Sequence, residues 1–267
     1  MKKVIVAAAF LITTLDVFSQ TPDSLPQATD TLTDTLKVNE QIATPATQPK
    51  KKDWSKVSLA NRPNDHFMFQ LGYEGWTGKP DSARTKGIPR TLNIYFMLDL
   101  PFKTDPRFSV GLGLGISSAG VYFDKTRVGV ADNTNTLQFE DVSNRNNFKK
   151  YKLAYTYLEV PVELRFSRDP ENDGKSLKFA LGAKVGTLLN VHTKGKTLQD
   201  AEGRTIGNYT EKLASRQYFE SIRLAGTARV GIGHFGLFGA YQINNFIKDG
   251  SGPNIRPFTI GFTFSGL

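Results

Sequence analysis

The sequence predicts an all-β protein: an eight-stranded antiparallel up-and-down transmembrane β-barrel behind a disordered N-terminal periplasmic tether. Three observations carry this reading. Segments of strict apolar/polar alternation recur from His66 to the C-terminus, the connections between them are alternately long and short, and an export leader precedes them. The clearest alternation is in one stretch, where Leu158, Val160, Val162, Leu164 and Phe166 face one way and Glu159, Pro161, Glu163 and Arg165 the other. A period of two is the signature of a strand with one apolar face. About nine residues of tilted strand cross a bilayer.

Met1-Lys2-Lys3 followed by the apolar run Val4 to Ile12 reads as a signal peptide over residues 1–19, with cleavage expected after Ser19. Residues 20–65 change character: they are rich in Thr, Pro, Asp and Gln, with the tandem Thr29-Asp30-Thr31-Leu32 and Thr33-Asp34-Thr35-Leu36. Such a segment buries too little apolar surface to offset ordering, so it is expected to be a disordered tether. Lys50-Lys51-Lys52-Asp53-Trp54 near its end reads equally as an interfacial anchor or a solvated charge run. The barrel is assigned to residues 66–267.

Its strands follow in order. Phe67 to Tyr73 places odd residues on the apolar face, and Thr91 to Leu100 sets Leu92, Ile94, Phe96, Leu98 and Leu100 against Thr91, Asn93, Tyr95, Met97 and Asp99. From Arg107 to Ser117, Phe108, Val110, Leu112, Leu114 and Ile116 oppose serines and glycines. The fourth strand is the Leu158–Phe166 stretch, and the fifth shows Leu177, Phe179, Leu181, Ala183 and Val185. Ile222 and Leu224 mark the sixth, Phe235, Leu237 and Tyr241 the seventh, and Phe258 to Phe264 the last.

The connections Thr77–Arg90, Ser118–Lys150, Val191–Arg216 and Asn245–Pro257 are long, whereas Pro101–Pro106, Ser167–Ser176 and Gly231–Gly233 are short. Short periplasmic turns and long outer loops are the habit of outer-membrane barrels. A soluble lipocalin-like barrel would turn its apolar face inward and cover the outside with charge. Here the polar face is thin and made of Gly, Ser, Thr and a few mixed charges, which suits a narrow interior. Both termini are then expected in the periplasm, with outer-membrane lipid as the barrel's immediate partner. Tyr73, Trp76, Tyr155, Tyr157, Phe166 and Tyr241 are the expected aromatic girdle. Before Leu158 the apolar phase is odd (Leu153, Tyr155, Tyr157), which reads as a β-bulge.

Composition excludes several classes. There is no cysteine, so disulfides, thiolate metal sites and thiol nucleophiles are absent. The net charge of +9 is scattered, with no basic helix, which argues against nucleic acid. The three histidines, His66, His192 and His234, are isolated, so neither a metal site nor any cofactor is expected. His192 with Asp132, Glu140 or Asp141 is the best catalytic grouping available, but no catalytic motif surrounds it, and no enzyme activity is expected.

The segment Tyr157-Leu158-Glu159-Val160-Pro161-Val162 resembles the small outer-membrane β-barrel family that includes PorT-like proteins, whose fourth strand carries Tyr-Leu-Glu-Ile/Val-Pro-aliphatic. Gly111-Leu112-Gly113-Leu114-Gly115 and the terminal Phe258–Phe264 strand share the resemblance, which covers roughly His66 to Leu267. PorT-like members are implicated in assembling a protein secretion machine of the outer membrane. The resemblance therefore implies a role accessory to secretion or envelope assembly, with protein partners reached through residues 20–65. The Thr-rich tether itself is not part of the family pattern.

Asp99, Arg107, Glu159, Glu163, Arg165, Lys178, Lys184, Arg223 and Arg229 are expected inside the barrel as a charge network, and Glu74 is expected to face inward as well. A symmetric Ser167–Ser176 turn would set Glu159 opposite Lys184 and Arg165 opposite Lys178. Eight strands leave room only for their own side chains, so these charges must pair. The network reads as a salt-bridged plug; its excess of cations also admits an anion path. A structural or partner-binding barrel is the primary expectation, and a small transport or adhesion barrel acting through its long loops is the alternative.

Overall fold

The computed structural model describes Asp53 and residues 67–266. The expected leader and, apart from Asp53, the expected tether lie outside the described residues. Eleven strands follow in order: β1 (Phe67–Thr77), β2 (Arg90–Pro101), β3 (Phe108–Phe123), β4 (Thr126–Val128), β5 (Phe139–Asp141), β6 (Asn147–Ser167), β7 (Leu177–Gln199), β8 (Thr205–Ala214), β9 (Ile222–Ile232), β10 (Phe235–Gln242) and β11 (Arg256–Ser265). Eight of them close a ring in the order β1-β2-β3-β6-β7-β9-β10-β11, and β11 returns antiparallel to β1. The remaining three decorate the long connections: β4 and β5 form a hairpin, and β8 pairs with the far part of β7.

The short connections and both strand termini Phe67 and Ser265 gather at one end, here the turn end. The tightest turn, Gly233-His234 between β9 and β10, needs Gly233 at φ 59°. A side chain there would also meet the Gly174 backbone, so both conformation and space select glycine.

The apolar faces point outward around the ring. Leu181 is 70% exposed, Phe262 71% and Phe235 71%, values that make sense only against lipid. Inward positions of the same strands are polar and buried: Gln70, Glu74, Asn93, Ser109, Ser117, Thr227, Thr259 and Thr263.

Two sequence expectations are corrected here. The connections after β3 and β7 are not simple loops, because β3 runs to Phe123, β6 begins at Asn147 and β7 continues to Gln199. The sheet thus projects past the apolar belt. Above the belt the odd residues of β6 stay inward, but the inward face turns apolar: Tyr151, Leu153, Tyr155 and Tyr157 are all buried. Together with Trp76, Phe123, Leu188, Val191, Phe219, Phe246, Ile247 and Ile255 they form a hydrophobic core at the long-loop end. The apolar phase change before Leu158 therefore marks a change of surroundings and not a change of facing. A bulge does lie here, but on the partner strand: Thr156 pairs with Asn190 and Tyr157 with Leu188, leaving Leu189 extra on β7.

The second correction is register. The β6–β7 hairpin closes through Arg168 N–H donating to the Leu177 carbonyl, and a 3-10 turn at Asp173–Lys175 fills its tip. That shifts the pairing by two residues from the symmetric expectation, so Glu159 faces Gly186, Pro161 faces Lys184 and Arg165 faces Ala180.

Candidate functional site

Inside the belt the strands bring two carboxylates of β6 to the centre of the lumen. Glu159 is fully buried and accepts from Tyr95 Oη at 2.6 Å and from Arg223 at 3.0 Å, with Lys184 Nζ at 3.4 Å. Lys184 also donates to Tyr95 Oη at 3.1 Å. The diagonal reach of a lysine thus brings the Glu159–Lys184 pair together although the two are not direct cross-strand partners. Two inward positions toward the turn end, Glu163 accepts from Arg229 at 2.6 Å and from Arg165 at 3.1 Å. Arg165 continues to Asp99 at 3.4 Å, and Ser109 donates to the same carboxylate at 2.6 Å.

Toward the long-loop end a third carboxylate, Glu74 on β1, accepts from Tyr155 Oη at 2.5 Å and from Thr259 at 2.6 Å. Trp76 Nε1 donates to Tyr155 Oη at 3.4 Å, so this cluster links the polar lumen to the hydrophobic core above it. Arg223 lies 5.4 Å from the Tyr157 ring centre at the same junction.

The strand residues opposite are small for a physical reason. A side chain at Gly111 would overlap the Arg165 guanidinium, and one at Gly115 would overlap Tyr95. Pro161, which has no N–H for the ladder, points inward, and the β3–β6 pairing skips from Leu112–Val162 to Gly115–Glu159 around it. Gly113 leaves space there for the pyrrolidine ring and for Met97.

Seven of the nine expected network residues meet in the lumen: Asp99, Glu159, Glu163, Arg165, Lys184, Arg223 and Arg229. The other two do not. Arg107 sits in the β2–β3 turn, bidentate to Asp105 with a shortest contact of 2.6 Å, and Lys178 pairs with Asp173 at the turn end. With those two removed and Glu74 added, four lumen carboxylates stand against four cations, so the cation excess that suggested an anion path disappears. At the turn-end mouth a pocket lined by Asp99, Arg165, Lys178 and Arg229 holds about 40 Å³, room for roughly two or three waters. Sequence alternation places Tyr95 and Asn93 inward, and the strand register then sets the Tyr95 hydroxyl between Glu159 and Lys184, a contact that alternation does not encode.

Of the expected girdle, Tyr73 and Tyr241 face outward, 46% and 44% exposed, and Phe166 packs on Phe108 with ring centres 5.1 Å apart. Trp76, Tyr155 and Tyr157 are corrected: they are buried inside, because their strands leave the bilayer at that level and apolar side chains there avoid water by turning inward. The proposed catalytic grouping does not assemble. Asp132 and Glu140 both pair with Arg127, Asp141 with Arg84, and His192 Nδ1 meets Asn190. Among the described residues no group of three or more His, Asp or Glu is placed to hold a metal ion.

A closed antiparallel ring with a lipid-compatible exterior and a paired-charge interior defines an integral membrane barrel. Residues 66–248 match the outer membrane protein beta-barrel domain family, and the chain belongs to it; its location is the outer membrane. Among solved structures the chain is similar to Ail, the attachment invasion locus protein of Yersinia pestis. That likeness has 14% identity and a TM-score of 0.31, and covers 76% of this chain and 99% of that one. None of the curated proteins compared matches the chain.

Proposed function

We propose that the protein is a non-conducting outer-membrane barrel with a structural or partner-binding role, acting through its surfaces and not through its lumen. The observation that carries this is the filling of the bore: Asp99, Glu159 and Glu163 are ion-paired with four cations, Glu74 is held by Tyr155 and Thr259, and a hydrophobic core tops them. An ion crossing would have to break charge pairs in a low-dielectric interior and then traverse apolar side chains. In this reading the long-loop end faces outside, both termini face the periplasm, and the leader and tether read from the sequence deliver and extend the chain. Partners on the periplasmic side, including components of secretion or envelope assembly, would be met through residues 20–65. The protein performs no catalysis.

Planar-bilayer recording tests the closed bore: the purified barrel is expected to give no discrete conductance steps, and reproducible channels would refute it. A second reading, adhesion or ligand contact outside the cell, is favoured by one observation. Among the described residues β8 pairs only with β7, and its other edge along Thr205–Ala214 is exposed. An exposed edge of this kind accepts an added strand. Crosslinking in cells separates the two: loss of partners on deleting residues 20–49 supports the periplasmic role, and loss on deleting 200–216 supports the external one.

A further inference from the structure

Between the β4–β5 hairpin and the inner faces of β6 and β8 lies a bowl that is separate from the lumen network and from the exposed edge of β8. Its floor is the upper margin of the hydrophobic core: Tyr151 and Val142 are buried, and Phe148 and Leu213 are half-buried against that core. The Phe148 ring lies 8° from parallel to Tyr151 with centres 6.2 Å apart, and Tyr209 meets it edge-on at 6.0 Å. A side chain at Gly195 would overlap the Phe148 ring, so this glycine is what seats the floor. The hairpin wall is fixed by Tyr151 Oη, which accepts from the Val128 N–H at 3.2 Å and donates to the Val128 carbonyl at 3.1 Å.

The rim is polar. Lys125, Asn146 and Glu211 stand around the opening, and all three are exposed. Among the described residues no hydrogen bond or ion pair engages their side chains. Arg127, a second cation at the wall, is already held by Asp132 at 2.6 Å and Glu140 at 3.5 Å. The groups left to meet a ligand are therefore one ammonium, one amide and one carboxylate, with no net charge. Lys125 is kept at φ 46°, uncommon outside glycine, where its carbonyl accepts from the Val142 N–H at 2.9 Å. Backbone strain of this kind collects at ligand clamps.

An aromatic floor under a rim of mixed donors and acceptors selects a ligand with one apolar face and a ring of hydroxyls. A carboxylate accepts from adjacent hydroxyls, an ammonium donates to their oxygens, and an amide does both. The C–H face of a pyranose supplies the apolar side. The balanced rim favours neither an anion nor a cation. The bowl holds about 70 Å³, room for roughly five waters or for one sugar ring in their place. Its height excludes a lipid headgroup. Tyr151 lies seven residues beyond Leu158, the last outward apolar residue of β6. For a strand tilted about 40° that is roughly 18 Å past the hydrocarbon edge, clear of a headgroup layer of about 5–8 Å.

We propose that this bowl binds a neutral pyranose residue of an external glycan, with the sugar ring on Phe148 and its hydroxyls held by Glu211, Lys125 and Asn146. The proposal rests on the second reading above, in which the long-loop end meets ligands outside the cell.

The test uses the full mature chain in zwitterionic micelles free of glycosidic detergent. It is titrated with the methyl glycosides of glucose, galactose, mannose and N-acetylglucosamine, and with glucitol, which carries the hydroxyls of glucose without the ring. At least one glycoside is expected to bind with a Kd on the order of 1 mM, the strength open to about a dozen non-hydrogen atoms. Saturation-transfer NMR with irradiation of the aromatic protons is expected to reach the C–H groups of its ring. Glu211→Gln and Asn146→Ala, checked as folded by heat-modifiable gel mobility, are each expected to weaken binding about 5–10-fold.

No glycoside bound at about 10 mM, equal binding of glucitol, or unchanged affinity in both folded variants would overturn the site. Orientation is tested separately, because the chain has no cysteine. Thr210→Cys is expected to react with an impermeant maleimide on intact cells. Labelling only after permeabilisation would overturn the external reading, while the micelle titration still judges the bowl by itself.

Discussion

Glu159→Gln removes one charge and almost no volume from the centre of the lumen. Tyr95 keeps an acceptor in place of the one it meets at 2.6 Å, so the change isolates the electrostatic part of the site. Lys184 at 3.4 Å and Arg223 at 3.0 Å each lose a partner whose gross attraction is about 5 kcal/mol at an effective dielectric of about 20. Removing one member of a buried pair costs about 3–5 kcal/mol net, because the remaining charges are stranded. That is the destabilisation expected in a urea titration of the barrel in lipid vesicles. Trp76 is a suitable reporter, since it sits in the adjoining core with Nε1 3.4 Å from Tyr155 Oη; a Trp54→Phe background removes the other tryptophan. Adding Lys184→Met deletes one stranded cation and is expected to recover at least half of the loss. A single variant within about 0.5 kcal/mol of the parent, or a double variant no better than the single, would refute the account of the lumen as a balanced ionic plug.

Two other outcomes probe its surroundings. Val162→Arg, at the middle of the β6 belt, is expected to cost about 2–4 kcal/mol, whereas Thr156→Arg, one outward position above Leu158, is expected to cost at most about 1 kcal/mol; equal costs would misplace the belt edge. In the β4–β5 region, Arg127 hydrogen bonds hold the Asp132 carboxyl below the usual aspartate range. A depressed acid stabilises above its unfolded pKa near 3.9 and loses that contribution as pH falls through the lower folded value. Limited proteolysis of residues 124–146 is therefore expected to be the same at pH 7 and pH 5 and to rise only below about pH 4. The effect is about 1 kcal/mol or less, since both groups are partly exposed. Opening at pH 5 would count against it.

The eight strands and their alternate long and short connections were legible because lipid demands apolar residues on every second position, a signal local to each strand. Pairing register is not local. The β6–β7 offset depends on how residues 169–176 fold back, and nothing in the sequence separated closure at Ser167–Ser176 from closure at Arg168–Leu177. Hence alternation with a symmetric turn places Lys178 beside Arg165, whereas it meets Asp173, and places Arg107 in the lumen, whereas Asp105 two residues away captures it. β8 escaped notice for another reason: Thr205–Ala214 is exposed on both faces, so no alternation distinguishes it from a loop.

Alternation points Trp76, Tyr155 and Tyr157 outward, whereas hydrophobicity does not keep one direction along the whole strand. Facing and polarity are separate properties. On β6 the inward side passes from Glu159 to Tyr157 while the outward side passes from Leu158 to Thr156. On β3 the inward side passes from Ser117 to Ala119 and the outward side from Ile116 to Ser118. On β7, Leu188 follows Lys184 and Gly186 inside, and Asn190 follows Leu189 outside. The registers put these exchanges level with one another, since Ile116 pairs with Leu158 and Tyr157 with Leu188. A bulge would shift one strand. A simultaneous exchange of polarity between both faces of three adjacent strands marks a plane, and the plane is where the surrounding solvent changes from lipid to water. The ion pairs of Glu159, Glu163 and Asp99 then lie below it, where the exterior is hydrocarbon and only the lumen can hold charge, and Glu74 stands at the junction on Tyr155. The aromatic core lies wholly above it, where the exterior is wet and only the lumen can hold apolar side chains.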